Sequence, residues 1–149
     1  MSPRIIAFAA AIPFALTGCG QMQTFDSTAA VGCTPSTSNC RIAVTVTGNC
    51  SDPAQITVLP ERLPVPRGNH NMKIAWDIQN SGFKWVAAPN GITSLPPGEF
   101  SNPHDNTDKY DITDLNSATA PTPFKYEIHL QRSDGSLCAV KDPFIVNGS

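Results

Sequence analysis

Three runs of strict alternation set the limits on what this chain can fold into. Ile42, Val44 and Val46 alternate with Ala43, Thr45 and Thr47 between Arg41 and Thr47. Met72, Ile74, Trp76 and Ile78 alternate with Lys73, Ala75, Asp77 and Gln79. Phe124, Tyr126, Ile128 and Leu130 alternate with Lys125, Glu127, His129 and Gln131, a run that extends to Arg132. A period of two sends successive side chains to opposite faces, so each run predicts a half-buried β-strand. Their β-branched and aromatic residues suit a pleated surface.

Weaker signals fill the intervals. Gln55–Leu59 reads as a short strand. Leu63–Val65, hemmed by Pro60, Pro64 and Pro66, reads as an edge or irregular strand, because proline donates no ladder hydrogen bond. Asn80-Ser81-Gly82 predicts a turn into a strand over Phe83–Val86, and Gly91-Ile92 predicts another before Pro96-Pro97-Gly98. Residues 101–123 are polar and read as mostly loop, with Tyr110, Ile112 and Leu115 pinning one short strand. Asp134-Gly135 is a hairpin signal, since both residues tolerate positive φ. Its return strand runs from Leu137 to about Val146, broken at Asp142-Pro143. With 14 Pro and 10 Gly in 149 residues, the chain favours turns over long helices. The expected fold class is all-β: an antiparallel two-sheet sandwich, immunoglobulin-like in the broad sense, with Trp76 on a central strand. A small closed barrel is the alternative.

The first residues carry a different message. Arg4 and the amino terminus precede an apolar run, Ile5–Leu16, interrupted only by Pro13. The run is shorter than the roughly 20 apolar residues a spanning helix needs, and it reads as an export signal. Leu16-Thr17-Gly18-Cys19 then resembles the lipobox of bacterial lipoproteins, in which the chain is cut before a cysteine whose thiol is diacylated. The resemblance covers residues 1–20. It implies a signal peptide over 1–18, lipidation of Cys19, a lipid-anchored tether over 19–32 and a folded domain over 33–149. Each buried acyl methylene adds about 0.8 kcal/mol, so two chains anchor stably where one is marginal. By analogy with lipoprotein sorting, Gly20 favours an outer-membrane address facing the periplasm. Trp76-x-Ile78 and Cys138-x-x-x-Asp142-Pro143-x-Ile145-x-Asn147 also resemble segments of small exported bacterial β-proteins, a likeness that brings no activity with it.

Five cysteines are present, and assigning Cys19 to lipid leaves an even four: Cys33, Cys40, Cys50 and Cys138. Outside the cytoplasm such a set is read as disulfides. Cys33–Cys40, across a Thr-Pro-Ser-Thr-Ser-Asn turn, with Cys50–Cys138 is the favoured pairing. Cys40–Cys138 with Cys33–Cys50 remains open. The cysteine spacings are wider than zinc ligands use, and no histidine stands close to them.

Net charge is −2 and charged residues make up 15%, which gives no basic footprint for nucleic acid. No Gly-x-Ser-x-Gly elbow, phosphate loop or paired-carboxylate context is present, so no catalytic residue, no cofactor and no enzymatic role are expected. Asp105, Asp108, Asp111 and Asp114 lack the alternate spacing and central glycine of a calcium loop and read as a solvated stretch. The three histidines, including His129 beside Glu127, read as exposed; the alternative brings His70, His104 and Asp105 together as a metal site. Phe83, Trp85 and Phe100 are candidates for an exposed aromatic binding patch, against a core role for Trp85. The function expected from these features is a lipid-anchored envelope module that binds a protein partner or supports an assembly through loops 83–92 and 101–123. The alternative is a periplasmic metal module or metalloenzyme using His70 and His104.

Overall fold

The computed structural model describes residues 31–34 and 38–149, so the expected export signal, the expected lipidation at Cys19 and the expected tether up to residue 30 lie outside the described residues. Thirteen strands are present among the described residues: β1 (Gly32–Thr34), β2 (Asn39–Val46), β3 (Ile56–Leu59), β4 (Arg62–Val65), β5 (Met72–Ile78), β6 (Phe83–Trp85), β7 (Ile92–Thr93), β8 (Phe100–Asn106), β9 (Lys109–Asp114), β10 (Thr122–Lys125), β11 (Glu127–Ile128), β12 (Leu130–Arg132) and β13 (Phe144–Asn147). A single 3-10 turn, Pro53–Gln55, is capped by Asp52, whose carboxylate accepts from the Ala54 amide at 2.8 Å. Among these residues no helix is long and apolar enough to cross a membrane.

The main sheet has the order β1-β2-β5-β9-β8, with β3 also paired to β2. A second sheet is ordered β10-β13-β4, and two short ladders join β11 to β7 and β12 to β6. The fold is all-β and sandwich-like, as the alternation predicts. Most pairings are antiparallel, but β2 with β5 and β13 with β4 are parallel. A parallel neighbour needs a long crossover, and the segment from Thr47 to Asn71 supplies it by detouring through β4 in the other sheet.

Register explains the core. Cys40, Ile42 and Val44 stand opposite Ile74, Trp76 and Ile78, and Ile74 and Trp76 stand opposite Ile112 and Tyr110. These rows form one buried face, and burial of each such side chain contributes about 1.5–3 kcal/mol. From the opposite side Tyr126, Ile128, Leu130, Leu63 and Ile145 close over it. The central position expected for Trp76 is observed: it is fully buried on β5, the middle strand of the main sheet.

Two expectations are corrected. Residues 101–123 are not mostly loop, since β8 and β9 form a hairpin there and β10 begins at Thr122. The Phe124–Arg132 run keeps its alternation but is not one strand. It divides into β10, β11 and β12, which pair in turn with β13, β7 and β6. Alternation reports which face a residue occupies, and it is silent about which neighbour supplies the ladder.

The favoured disulfides form. Cys33–Cys40 closes the β1–β2 hairpin, where the two residues are direct cross-strand partners. Cys50–Cys138 spans 88 residues and ties the chain just after β2 to the segment following the Asp134-Gly135 turn. The Ala139 amide also donates to the Cys50 carbonyl at 2.8 Å, so backbone and sulfur hold the same junction.

Candidate functional site

Two concavities and one buried polar cluster carry the unusual chemistry. The larger concavity, a groove of about 780 Å³, lies at one end of the main sheet. The turn after β5 forms one wall. Asn80 fixes that turn to the end of β2 by accepting from the Val46 amide and donating to the Val46 carbonyl, both at 2.9 Å. The β8–β9 turn forms another wall, held by Ile78 N–H to the Asp108 carbonyl at 2.7 Å and Trp85 N–H to the Thr107 carbonyl at 3.1 Å. Arg41 of β2 donates from Nε and Nη2 to Asp77 Oδ2 of β5, at 3.1 and 2.7 Å. Lys84, Asn106 and Asp108 also line the groove, and no side-chain hydrogen bond or ion pair engages them within the described residues. Its charges balance: Arg41 and Lys84 against Asp77 and Asp108.

The smaller cleft, about 360 Å³, opens beside Cys138. Thr93 and Glu127 are direct cross-strand partners of β7 and β11. His129 follows in the gap before β12, its amide donating to the Gly91 carbonyl and its carbonyl accepting from the Val86 amide. The Thr93 hydroxyl donates to Glu127 Oε2 at 2.9 Å and lies 2.8 Å from His129 Nε2. The two acidic and basic atoms, Glu127 Oε2 and His129 Nε2, are 3.4 Å apart. A hydroxyl has one proton, and an ionised carboxylate can only accept. With that proton on the Glu127 side, His129 Nε2 must be the donor to Thr93. The imidazole therefore has no lone pair aimed at the hydroxyl, and Thr93 is not an activated nucleophile.

The polar cluster is the part that sequence reasoning missed. Asp114, Asn116 and Asn147 are buried where an apolar residue would be expected. Asn147 Nδ2 donates to Glu99 Oε1 at 2.7 Å and to Asp114 Oδ1 at 2.8 Å. The Asn116 amide donates to Asp114 Oδ1, and its side chain donates to the Pro66 and Asn69 carbonyls. Burial pushes the Asp114 carboxyl up to about 6, against the lowering pull of the Asn147 and Asn116 donors, with the nearby Glu99 charge adding to the rise. Burial also acts to raise Glu99, but donors from Ser117 and Asn147 outweigh it and hold Glu99 below the usual range. The cluster clamps the end of β13 to the end of β9, which is a structural task. The Asp-x-Asn pair, Asp114 and Asn116, with Asn147 near the carboxyl end of the sequence, was its only trace.

The candidate residues from the sequence fare differently. The exposed aromatic patch does not form. Trp85 is 2% exposed and Phe100 7%, both packed in the core, and Phe83 is half-buried against it. Phe83 and Trp85 stand two residues apart on β6 and share its inward face, with Lys84 between them on the other. His70, His104 and Asp105 are not drawn into one site. His70 Nδ1 lies 3.3 Å from the Leu115 carbonyl, His104 Nδ1 lies 3.9 Å from Asp111, and Asp105 Oδ1 accepts from the Ala88 amide at 2.8 Å. The acidic series is not a solvated loop: Asp105 lies on β8, Asp111 and Asp114 on β9, and only Asp108 is in the turn between them. His129, expected to be exposed, is 29% exposed at its side chain.

Among the described residues, fold and site together define a disulfide-stapled all-β module that carries this groove and this cleft. Neither a protein-family model nor a curated protein matches the chain.

Proposed function

We propose that this chain is an exported, lipid-anchored protein of a bacterial cell envelope, tethered through Cys19, whose β-sandwich serves as a non-enzymatic binding module. The observation that carries the reading is the pair of disulfides, Cys33–Cys40 and Cys50–Cys138, which together use every cysteine after Cys19. Structural disulfides belong to oxidising compartments, and the leader with its Leu16-Thr17-Gly18-Cys19 motif supplies the route there. The binding role rests on the groove. The side chains of Lys84, Asn106 and Asp108 stand there with no hydrogen-bond partner among the described residues, on segments that Asn80 and the backbone hold in place. An outer-membrane position facing the periplasm follows from Gly20 by the sorting analogy.

Metabolic labelling with radioactive palmitate tests the anchor. Label is expected on the wild-type chain and absent from Cys19→Ser. Label that persists in Cys19→Ser overturns the assignment. Photo-crosslinking in the native cells tests the binding face: a crosslinker at position 84 or 106 is expected to trap a discrete partner, and one at Thr57 is not.

A further inference from the structure

We propose that Asp114 and Asn147 form an acid-closed latch between the two sheets: a proton on Asp114 Oδ2 is donated to Asn147 Oδ1 and completes a two-point acid–amide pair, which opens when the proton leaves. The latch is separate from the binding role proposed for the groove and does not depend on it.

The hydrogen bonds of the cluster are lopsided. Asp114 Oδ1 accepts twice, from Asn147 Nδ2 at 2.8 Å and from the Asn116 amide at 2.9 Å. Asp114 Oδ2 is buried and has no partner within the described residues. One oxygen that accepts beside one that receives no donor is the pattern of a neutral carboxylic acid, whose hydroxyl must donate. The acceptor that lacks a donor sits on the same partner, since Asn147 Oδ1 is also buried and unpaired. The Asn147 amide cannot be turned round, because its NH2 group serves two carboxyls, Asp114 Oδ1 and, at 2.7 Å, Glu99 Oε1. Both Asp114 and Asn147 are wholly buried. One proton on Asp114 Oδ2 therefore satisfies two orphaned atoms at once.

The charges around the pair favour that proton. Opposite Asp114, β5 presents Met72 and β8 presents Phe100. Lys73, next on β5, is engaged by Asp111. On the 66–70 segment His70 Nδ1 lies 3.3 Å from the Leu115 carbonyl, and neither His70 nor Arg67 bonds the Asp114 carboxyl within the described residues. Glu99, just before β8, is the charged group that acts on Asp114, and it opposes ionisation. Losing the proton puts a second negative charge on the amide nitrogen that already serves Glu99. It also leaves Asp114 Oδ2 and Asn147 Oδ1 without a donor, a costly state for buried groups. The carboxyl is held near 6 by burial, so the latch is closed in mild acid and opens towards neutrality. Asp114 ends β9 of the main sheet and Asn147 ends β13 of the second, so opening loosens the join between the sheets at that end.

The test is NMR of the purified full-length chain across pH. The Asp114 carboxyl carbon and the Asn147 side-chain carbonyl carbon are expected to shift together in one step. The Gly148 and Ser149 amides, which donate to Asn116 Oδ1 and to the Val65 carbonyl, report the join. Corrected for chemical exchange, their hydrogen-exchange protection is expected to fall about tenfold between about pH 5 and about pH 7.5. Asp114→Asn replaces the acid hydroxyl with an amide N–H and is expected to keep that protection constant. An Asn147 carbonyl that stays fixed while Asp114 titrates overturns the proposal in the wild-type chain alone, whether or not the variant folds. Wild-type protection that does not change with pH also overturns it, as does a folded Asp114→Asn that still shows the tenfold loss.

Discussion

The indole N–H of Trp76 donates to the hydroxyl of Tyr126 at 2.9 Å, with the two rings edge-to-face and their centroids 5.5 Å apart. Both residues are fully buried, and they come from opposite sides of the core: Trp76 from the middle of the main sheet, Tyr126 from the junction of β10 and β11. One polar bond thus fixes how the two layers face each other at this point of the core. Burial also raises the Tyr126 hydroxyl well above the ordinary phenol value, so it stays protonated at any physiological pH.

Tyr126→Phe removes the acceptor and leaves the Trp76 N–H desolvated without a partner. The expected cost is about 1–3 kcal/mol, read as a lowered urea midpoint with an unchanged slope. A double variant, Trp76→Phe with Tyr126→Phe, removes both polar groups. Its loss is expected to come from the smaller ring at position 76, so the two single effects should not add.

The two disulfides are expected to contribute unequally. In the chain-entropy model, removing Cys50–Cys138 with paired alanines costs about 4–5 kcal/mol, and removing Cys33–Cys40 costs about 2–3 kcal/mol. The difference follows from sequence separations of 88 and 7 residues. Equilibrium denaturation of the two paired variants measures it.

Asp114 makes stability fall as pH rises. Its folded value is about 6 against an ordinary 3.8, so the native state holds a proton that the unfolded chain has released across that window. Stability is greatest below the unfolded value and declines through about pH 6. At neutral pH the cost is on the order of 2–3 kcal/mol. Glu99 has the opposite sign. Its folded value lies below 4.5, so its contribution is present above that point and is lost in stronger acid. A stability maximum in mild acid is expected. Asp114→Asn keeps an acceptor for the Asn147 and Asn116 donors and carries no charge. It should flatten the decline between pH 4 and 7 and gain about 2 kcal/mol at pH 7.5, read by thermal melts across pH.

Gly91→Ala is expected to destabilise by about 1–3 kcal/mol. An added Cβ would meet the Tyr110 ring at 2.5 Å and the Val86 carbonyl oxygen at 2.6 Å. Both neighbours are held by the core and by the ladder around His129, so neither can move cheaply. A lowered melting temperature checks this, and a disturbed His129 NMR signal would show the strain reaching the cleft.

The strands with apolar alternation were legible in the sequence because each shows one face to the core. β2 and β5 were read almost to the residue. β8 was not, because Ser101-Asn102-Pro103-His104 carries no apolar face: it is an exposed edge with a register shift between Ser101 and His104. Pro103 and that shift blunt the edge against pairing with another chain. β9 was half legible. Tyr110 and Ile112 keep the period, but a buried carboxylate at Asp114 takes the third inward position and disguises the pattern. The cleft was hidden for a different reason. Glu127 and His129 lie on a run that reads as one polar face, and the cross-strand neighbour that makes them a pair, Thr93, is 34 residues earlier in the chain than Glu127. Contacts across such distances leave no local mark in composition.

The bridge between Cys50 and Cys138 also governs how the molecule responds to cutting. Both concavities draw walls from exposed turns inside that span, at Asn80–Gly82 and Asn106–Asp108 for the groove and around Asn90 for the cleft. A protease that nicks any one of them leaves two fragments still joined by sulfur. The damaged molecule would migrate as one band until a reductant is added, and an inactivating nick would shed no piece into the surroundings.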